Sequence, residues 1–278
     1  MNGPFLDRQK AEIEGNNFAR KVGHDTIESL RTVSGEELLK HSQTYHDDYS
    51  YPYLVTLVDG WVLPESVAHT FKRGAQLKVT IIAGYNADEG SLLYLMAKFP
   101  TPSNWQRGAP ADMDSFRVFM SRHYGDDTNA LIALYKMNDP SIRAQSEIDM
   151  FGDDHQGVHM YFLCEHMNKT GVPAYLYFFN RVPPSPKQTA GAYHFAEVPF
   201  VFGTHDFFFK ASEADKILEE KIQNYWVNFT GTGDPNGEGL VEWPIYSRDN
   251  DTWLNLNHVI KAERVSRGVN LIFLKKRS

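Results

Sequence analysis

Two adjacent carboxylates and a handful of histidines are the residues whose types and spacing could do chemistry. Asp88 and Glu89 lie in Gly84-Tyr85-Asn86-Ala87-Asp88-Glu89-Gly90-Ser91, directly after the apolar run Val79-Thr80-Ile81-Ile82-Ala83. A β-branched run that ends in Gly and Asn reads as a buried strand reaching its carboxyl end and turning. That edge is where α/β folds place their chemistry. An acid on such a turn could orient a histidine. The same pair also suits the first turn of a helix running into Leu92-Leu93-Tyr94-Leu95-Met96, because negative charge favours the positive end of the helix dipole. His194 follows Gly191-Ala192, small residues that allow a tight turn; by itself it could equally be a histidine packed in a core loop. His155 and His159 stand four apart with Asp153 and Asp154 nearby, a spacing that on a helix puts both imidazoles on one face, as a zinc site needs. Gly157 weakens that helix and the Glu of a metalloprotease helix is missing, so no metal is expected. His205-Asp206 precedes Phe207-Phe208-Phe209, aromatics that could line a pocket or plug a core.

The elements that must hold these residues alternate between strand and helix. Phe18, Val22, Leu30, Leu38 and Leu39 recur at near-helical spacing, and Ser34-Gly35-Glu36-Glu37 resembles a capped start. Residues 45–53 predict an irregular loop, 54–58 a short strand, and 64–72 a helix with Val67, Ala68 and Phe71 on one face. Pro100, Pro102, Gly108 and Pro110 make 98–111 a surface loop. Helices follow over 112–123 and 129–137, then a long helical stretch over 142–169 interrupted at Gly152 and Gly157, so that about 98–170 covers one face of the sheet. Residues 172–179, aromatic and continuous, predict a central strand with Tyr175, Tyr177 and Phe179 on one side, packed as core. Three prolines in 182–186 predict an extended, exposed loop. An amphipathic helix spans 216–229 and ends at Gly231. Trp243-Pro244, 252–256 and 269–274 supply edge strands and a closing helix or strand.

Composition sets outer limits. The chain has 278 residues, 42% of them hydrophobic, enough for the core of one large domain or two small ones. A formal charge of -7, with no basic cluster beyond Lys275-Lys276-Arg277, argues against a nucleic-acid partner. The single cysteine, Cys164, sits in apolar surroundings and reads as a small buried hydrophobe. Nowhere do 18 apolar residues run together, so no membrane insertion is expected. Residues 1–5 lack the pattern of a signal peptide. The sequons at Asn168 and Asn228 matter only on a eukaryotic secretory route.

Three segments carry a resemblance. Asp59-Gly60-Trp61-Val62-Leu63-Pro64, Phe71-Lys72-Arg73-Gly74 and then 79–91 resemble the stretch bearing the catalytic acid in type-B carboxylesterases, the family that includes cholinesterases. Gly191-Ala192-Tyr193-His194-Phe195-Ala196-Glu197-Val198-Pro199-Phe200-Val201-Phe202-Gly203 is similar to that family's catalytic-histidine motif. Trp226-Val227-Asn228-Phe229-Thr230-Gly231-Thr232-Gly233-Asp234-Pro235-Asn236, followed by Trp243-Pro244-Ile245-Tyr246, is the third match. They occur in family order and cover most of the chain from about Phe18 onward. The resemblance implies the C-terminal part of an α/β-hydrolase fold: a mostly parallel sheet flanked by helices, its N-terminal strands missing, with 1–278 as one partial domain. It further implies Glu89 as acid and His194 as base, a small-molecule carboxylic ester as substrate, and no cofactor.

Acyl transfer of this kind needs a serine that a positioned imidazole deprotonates, with an acid on the other imidazole nitrogen. In α/β-hydrolases the chain order is nucleophile, acid, histidine, and Glu89 before His194 keeps it. No G-x-S-x-G pentapeptide exists between Met1 and Ser278, and the family's Gly-rich oxyanion-hole stretch is absent too. Ser91 shares a turn with the acid and cannot substitute. The expectation is therefore a chain holding two of three triad members and inactive alone, with the true N-terminus and any signal peptide upstream. The compartment stays open, secreted or periplasmic included. The alternative is a non-catalytic homologue kept as a binding or adhesion module, against which the retention of both Glu89 and His194 speaks. A sheet without its neighbouring strands leaves an unpaired edge and predicts self-association.

Overall fold

The computed structural model describes residues 6–45, 56–91, 112–185, 188–205 and 208–276. Tyr45, expected to open a loop over 45–53, is helical; the rest of that loop, the helix at 92–96 and the loop over 98–111 lie outside the described residues. The chain divides into two compact units, Met1–Ala75 with Pro100–Arg107, and Gln76–Phe99 with Gly108–Ser278.

The smaller unit contains α1 (Arg8–Val22), α2 (Ile27–Leu30), α3 (Gly35–Tyr45) and α4 (Val67–Lys72), with β1 (Leu6–Asp7) pairing parallel to β2 (Leu57–Val58). Its helix starts follow from the residues that precede them. Asp7 Oδ1 accepts from the Lys10 N–H at 2.8 Å, Ser34 Oγ from Glu37 N–H at 3.1 Å, and Ser66 Oγ from His69 N–H at 3.3 Å. Each bond satisfies a donor that the first helical turn leaves unpaired.

In the larger unit β3 (Ile81–Asn86), β4 (Ala174–Phe179) and β5 (Thr252–Leu256) run parallel in that spatial order, and β6 (Lys261–Arg264) joins β5 antiparallel. β4 is apolar without alternation because both its faces are covered. On one side Tyr175 and Tyr177 meet Trp243 edge-on, with ring centroids 6.0 and 6.4 Å apart. On the other, Phe178 lies flat on Trp253 at 4.3 Å while Tyr85 approaches it edge-on at 5.2 Å. The flanking helices are α5 (Met113–Tyr124), α6 (Thr128–Leu134), α7 (Arg143–Gly152), α8 (Val158–Lys169), α9 (Val198–Phe202), α10 (Glu213–Thr232) and α11 (Gly268–Lys275). α8 packs on β3 and β4, and α11 packs on α8. The last helix decides the helix-or-strand alternative for 269–274.

Several expectations need correction. β3 begins at Ile81 and continues through Gly84, Tyr85 and Asn86, which pair with Tyr177, Phe178 and Phe179. Position 84 is glycine inside the strand because a Cβ there would lie 2.3 Å from Cγ of Tyr177. Trp243-Pro244 is not strand: Asn236 takes the main chain of Trp243, accepting its N–H at 2.7 Å and donating to its carbonyl at 3.1 Å. β6 went unread because Lys-Ala-Glu-Arg is a charged, largely exposed edge with no apolar alternation. α10 passes through Gly231 and closes on Gly233, which reaches φ 79° and donates its N–H to Phe229 O. The loop after β4 is not exposed throughout, since Pro183 is buried. The interruption over 152–157 is a π-helical turn, Asp153–Gly157, that carries α7 into α8 without a break.

Two polar clusters tie elements together. At the start of α10, the buried Asp215 accepts from Arg181 Nε at 2.6 Å, from Ser212 N and Oγ at 2.8 and 2.6 Å, and contacts His258 Nε2 at 3.2 Å. Burial alone would raise this carboxyl, but Arg181, Ser212 and His258 outweigh it and hold it below the ordinary carboxylate range. In the π turn, the buried Asp153 accepts from Tyr85 and Tyr135 hydroxyls at 3.1 and 2.8 Å and from Arg267 at 3.1 Å.

Candidate active site

The site begins where β3 ends. Ala87 N–H still reaches Phe179 O at 2.9 Å, and then the chain turns through Asp88 and Glu89. The turn lies tight against α7, as a Cβ on Gly90 would sit 2.3 Å from the Ile148 carbonyl oxygen. Facing it is the loop that follows β4, in which Gly191 adopts φ 68° and Tyr193 forms an isolated parallel bridge with Asp88. His194 comes next, then Phe195 at φ 74°, a left-handed conformation that costs a side-chain-bearing residue roughly 1–2 kcal/mol. The Ala196 N–H closes this turn on Tyr193 O at 2.9 Å, and α9 starts two residues later.

This geometry brings Glu89 and His194 together. His194 Nδ1 lies 2.6 Å from Glu89 Oε2, and Glu89 Oε1 accepts from the Asn86 N–H at 2.8 Å. The Glu89 side chain is 7% exposed and that of His194 38%. Burial raises the Glu89 carboxyl above its ordinary value; the Asn86 N–H and His194 oppose the rise, and Glu197 adds to it. An imidazole whose Nδ1–H is held by a carboxylate keeps its basic lone pair on Nε2 and has its cation stabilised. It can take a proton from a hydroxyl and hand it to a leaving group.

A second carboxylate stands one bond away. The buried Asn86 amide donates to Tyr193 O at 2.8 Å and to Glu197 Oε2 at 2.5 Å. Asn86 thereby ties the acid turn to both ends of the histidine turn. Its own Oδ1, like the Oγ of the buried Ser91, has no hydrogen-bond partner among the described residues. Below the turn, Arg267 donates to Ala87 O at 3.2 Å and Asp149 Oδ1 at 3.0 Å as well as to Asp153. Burial works against the Arg267 charge, but Asp153, Tyr85 and Asp149 outweigh it and keep the guanidinium protonated. Burial raises the Asp153 carboxyl, and Arg267, Tyr135 and Tyr85 oppose the rise. Three donors converge on Asp153, an arrangement suited to an ionised carboxylate beside the Arg267 guanidinium.

The other residues singled out by type lie elsewhere. His155 is in the π turn with Nδ1 3.0 Å from Phe151 O, so the four-residue spacing to His159 is not that of a regular α-helix. Among the described residues, no three His, Cys, Asp or Glu side chains are grouped to hold a metal ion. His205 Nδ1 pairs with Glu219 Oε2 on α10. Cys164 is fully buried and its thiol is pushed up by burial. Among the described residues no helix is long and apolar enough to cross a membrane. Asn86, Glu197 and Arg267 were not read as site residues; Asn86 and Glu197 stand within the two motifs, whereas Arg267 has no sequence signal.

The sheet, its helices and the turns bearing Glu89 and His194 beyond β3 and β4 define an α/β-hydrolase fold. A PNB esterase superposes with a TM-score of 0.74 at 23% identity, covering 97% of this chain and 55% of that one. The Geobacillus stearothermophilus carboxylesterase Est55 gives 0.77 at 21% identity over the same shares. The chain belongs to the carboxylesterase family, whose model matches residues 2–271. Carboxylesterase 5A of Canis lupus familiaris is 29% identical over 251 residues, covering 86% of this chain and 42% of that protein. Carboxylesterase 1C of Mus musculus is 29% identical over 260 residues, covering 88% and 46%. The chain thus spans under half the length of these relatives.

Proposed function

We propose that the chain, as one partial α/β-hydrolase domain, carries the acid and base of a serine carboxylic-ester hydrolase. Glu89 orients the imidazole and stabilises its cation, His194 moves the proton, and the nucleophilic serine belongs to polypeptide other than these 278 residues. The observation that carries this reading is the 2.6 Å contact between Glu89 and His194 in a chain of this family. The substrate is a small-molecule carboxylic ester. The absence of any G-x-S-x-G supports inactivity of the chain alone. Among the described residues β3 pairs only with β4, and its free edge supports self-association of the isolated chain.

The test is hydrolysis of a p-nitrophenyl ester by the purified chain beside His194→Ala. No turnover above the His194→Ala background is expected. Clear turnover abolished by that substitution would overturn the assignment of the serine to another segment. The reading of the whole protein is tested by the coding sequence upstream of Met1. An in-frame G-x-S-x-G elbow supports the esterase, and Glu89→Gln in that longer protein should then lower kcat by roughly 10⁴-fold, the scale set by mis-orienting a triad histidine. An elbow with another residue in place of serine would make the chain part of a binding module instead.

A further inference from the structure

We propose that Asp88 is the positioning residue that sets the approach of Glu89 to His194, by stapling the acid turn to the histidine loop. The inference rests on the reading of Glu89 and His194 as acid and base. These two residues are 105 apart in sequence, so their contact depends on how firmly the two turns are joined. Asn86 joins them on one side, through Tyr193 O. On the other side Asp88 grips a single residue at two points: its N–H donates to Ala192 O at 3.0 Å, and its Oδ2 accepts from Ala192 N–H at 2.7 Å. Ala192 is two residues before His194, and Asp88 is the residue before Glu89. Any slip at this grip is passed directly to the dyad.

The carboxylate is itself held. Gln145 Nε2 on α7 donates to Asp88 Oδ1 at 2.8 Å and to Asp149 Oδ1 at 2.9 Å, and Asp149 in turn pairs with Arg267. Two donors from two elements therefore meet the two oxygens of Asp88, which requires a group that only accepts. An amide would turn an NH₂ toward one of those donors. The loop has made room for this: a Cβ on Gly191 would lie 2.1 Å from Asp88 Oδ2, so the carboxylate occupies the space a side chain would take. This use also separates Asp88 from a helix-start acid. Its carbonyl takes the Ser91 N–H at 2.9 Å, as a turn does, while both side-chain oxygens reach across to Ala192 and Gln145.

The experiment compares Asp88→Asn, Asp88→Ala, Gln145→Ala and Glu89→Gln in the 278-residue chain by NMR. It reads the His194 Nδ1 proton, which a short bond to a carboxylate moves downfield, and the exchange rate of the Ala192 amide. With Asp88→Asn or Asp88→Ala, Ala192 exchange should rise about tenfold to a hundredfold, the range for losing a hydrogen bond to a charged acceptor. The His194 resonance should move toward its position in Glu89→Gln. Gln145→Ala should move both in the same direction by less, which keeps the idea testable where the Asp88 variants do not fold. A resonance that responds to Glu89→Gln but to none of the Asp88 and Gln145 variants would overturn the staple. A resonance that ignores Glu89→Gln would instead overturn the acid–base reading beneath it.

Discussion

Replacing Gly191 by alanine asks how much of the fold depends on the Asp88 carboxylate lying under the histidine loop. Two costs can be read from the structure. Gly191 adopts φ 68°, where an alanine is strained by roughly 1–2 kcal/mol. The new Cβ would also sit 2.1 Å from Asp88 Oδ2 and 2.5 Å from its Cγ, so the carboxylate must leave and its bond to the Ala192 N–H is lost. A hydrogen bond to a charged group contributes about 1.5–3 kcal/mol. Against these, the stiffer unfolded chain regains about 0.4–1 kcal/mol. The net loss is about 3 kcal/mol, measured as the change in unfolding free energy in urea. Gly171→Ala is the control: φ is 75° but nothing lies within 4 Å of its Cβ, so it should lose only about 1 kcal/mol, strain less entropy. In an Asp88→Ala background the nearest remaining atom is the residue-88 Cβ at 3.1 Å, a tight contact that a small shift relieves, and Gly191→Ala should fall most of the way toward the Gly171 value. Equal losses at positions 191 and 171, or a loss at 191 that persists without the Asp88 carboxylate, would refute the reasoning.

Arg267→Ala leaves Asp153 and Asp149 without their cation and should lower stability by about 3–5 kcal/mol, the cost of breaking a buried pair, in the same urea assay. Asp215 is held below its unfolded value of 3.8, so its contribution is complete above that pH and is lost as pH falls through the lower folded value. Asp215→Asn should accordingly flatten the acid limb of a stability–pH curve while lowering stability at pH 7. Trp253→Ala removes the ring stacked on Phe178 and should cost about 3–5 kcal/mol by thermal or urea unfolding, with loss of near-ultraviolet dichroism.

The two turns that meet at the Glu89–His194 contact were legible in the sequence. The roles of Glu89 and His194 as acid and base came only from the resemblance to the carboxylesterases, while residue pattern put them on turns, after a β-branched strand ending on small residues and after a pair of small residues. Central strand β4 was legible for the same reason, its unbroken aromatic run being what a strand covered on both faces requires. What was illegible depended on partners distant in sequence. Gly84 looked like a turn until Tyr177 was placed against it, and Arg267 carries no local signal because its role exists only through Ala87, Asp149 and Asp153. Asp88 was visible as a chemical residue, but the choice between orienting a histidine and starting a helix needed Ala192 and Gln145 beside it.

The π turn at Asp153–Gly157 bears on how length can vary in this lineage. A π turn spends one more residue than an α turn over the same rise. Removing one residue there would let the turn close as an ordinary α turn while α7 and α8 keep their faces, because the extra residue is absorbed inside the turn. Asp153 must stay for Tyr85, Tyr135 and Arg267, and Gly157 must stay because a Cβ there would lie 2.8 Å from the Tyr85 ring. Between those two positions the chain can change length by one residue without re-seating either helix, and one-residue gaps among homologues should fall inside this turn.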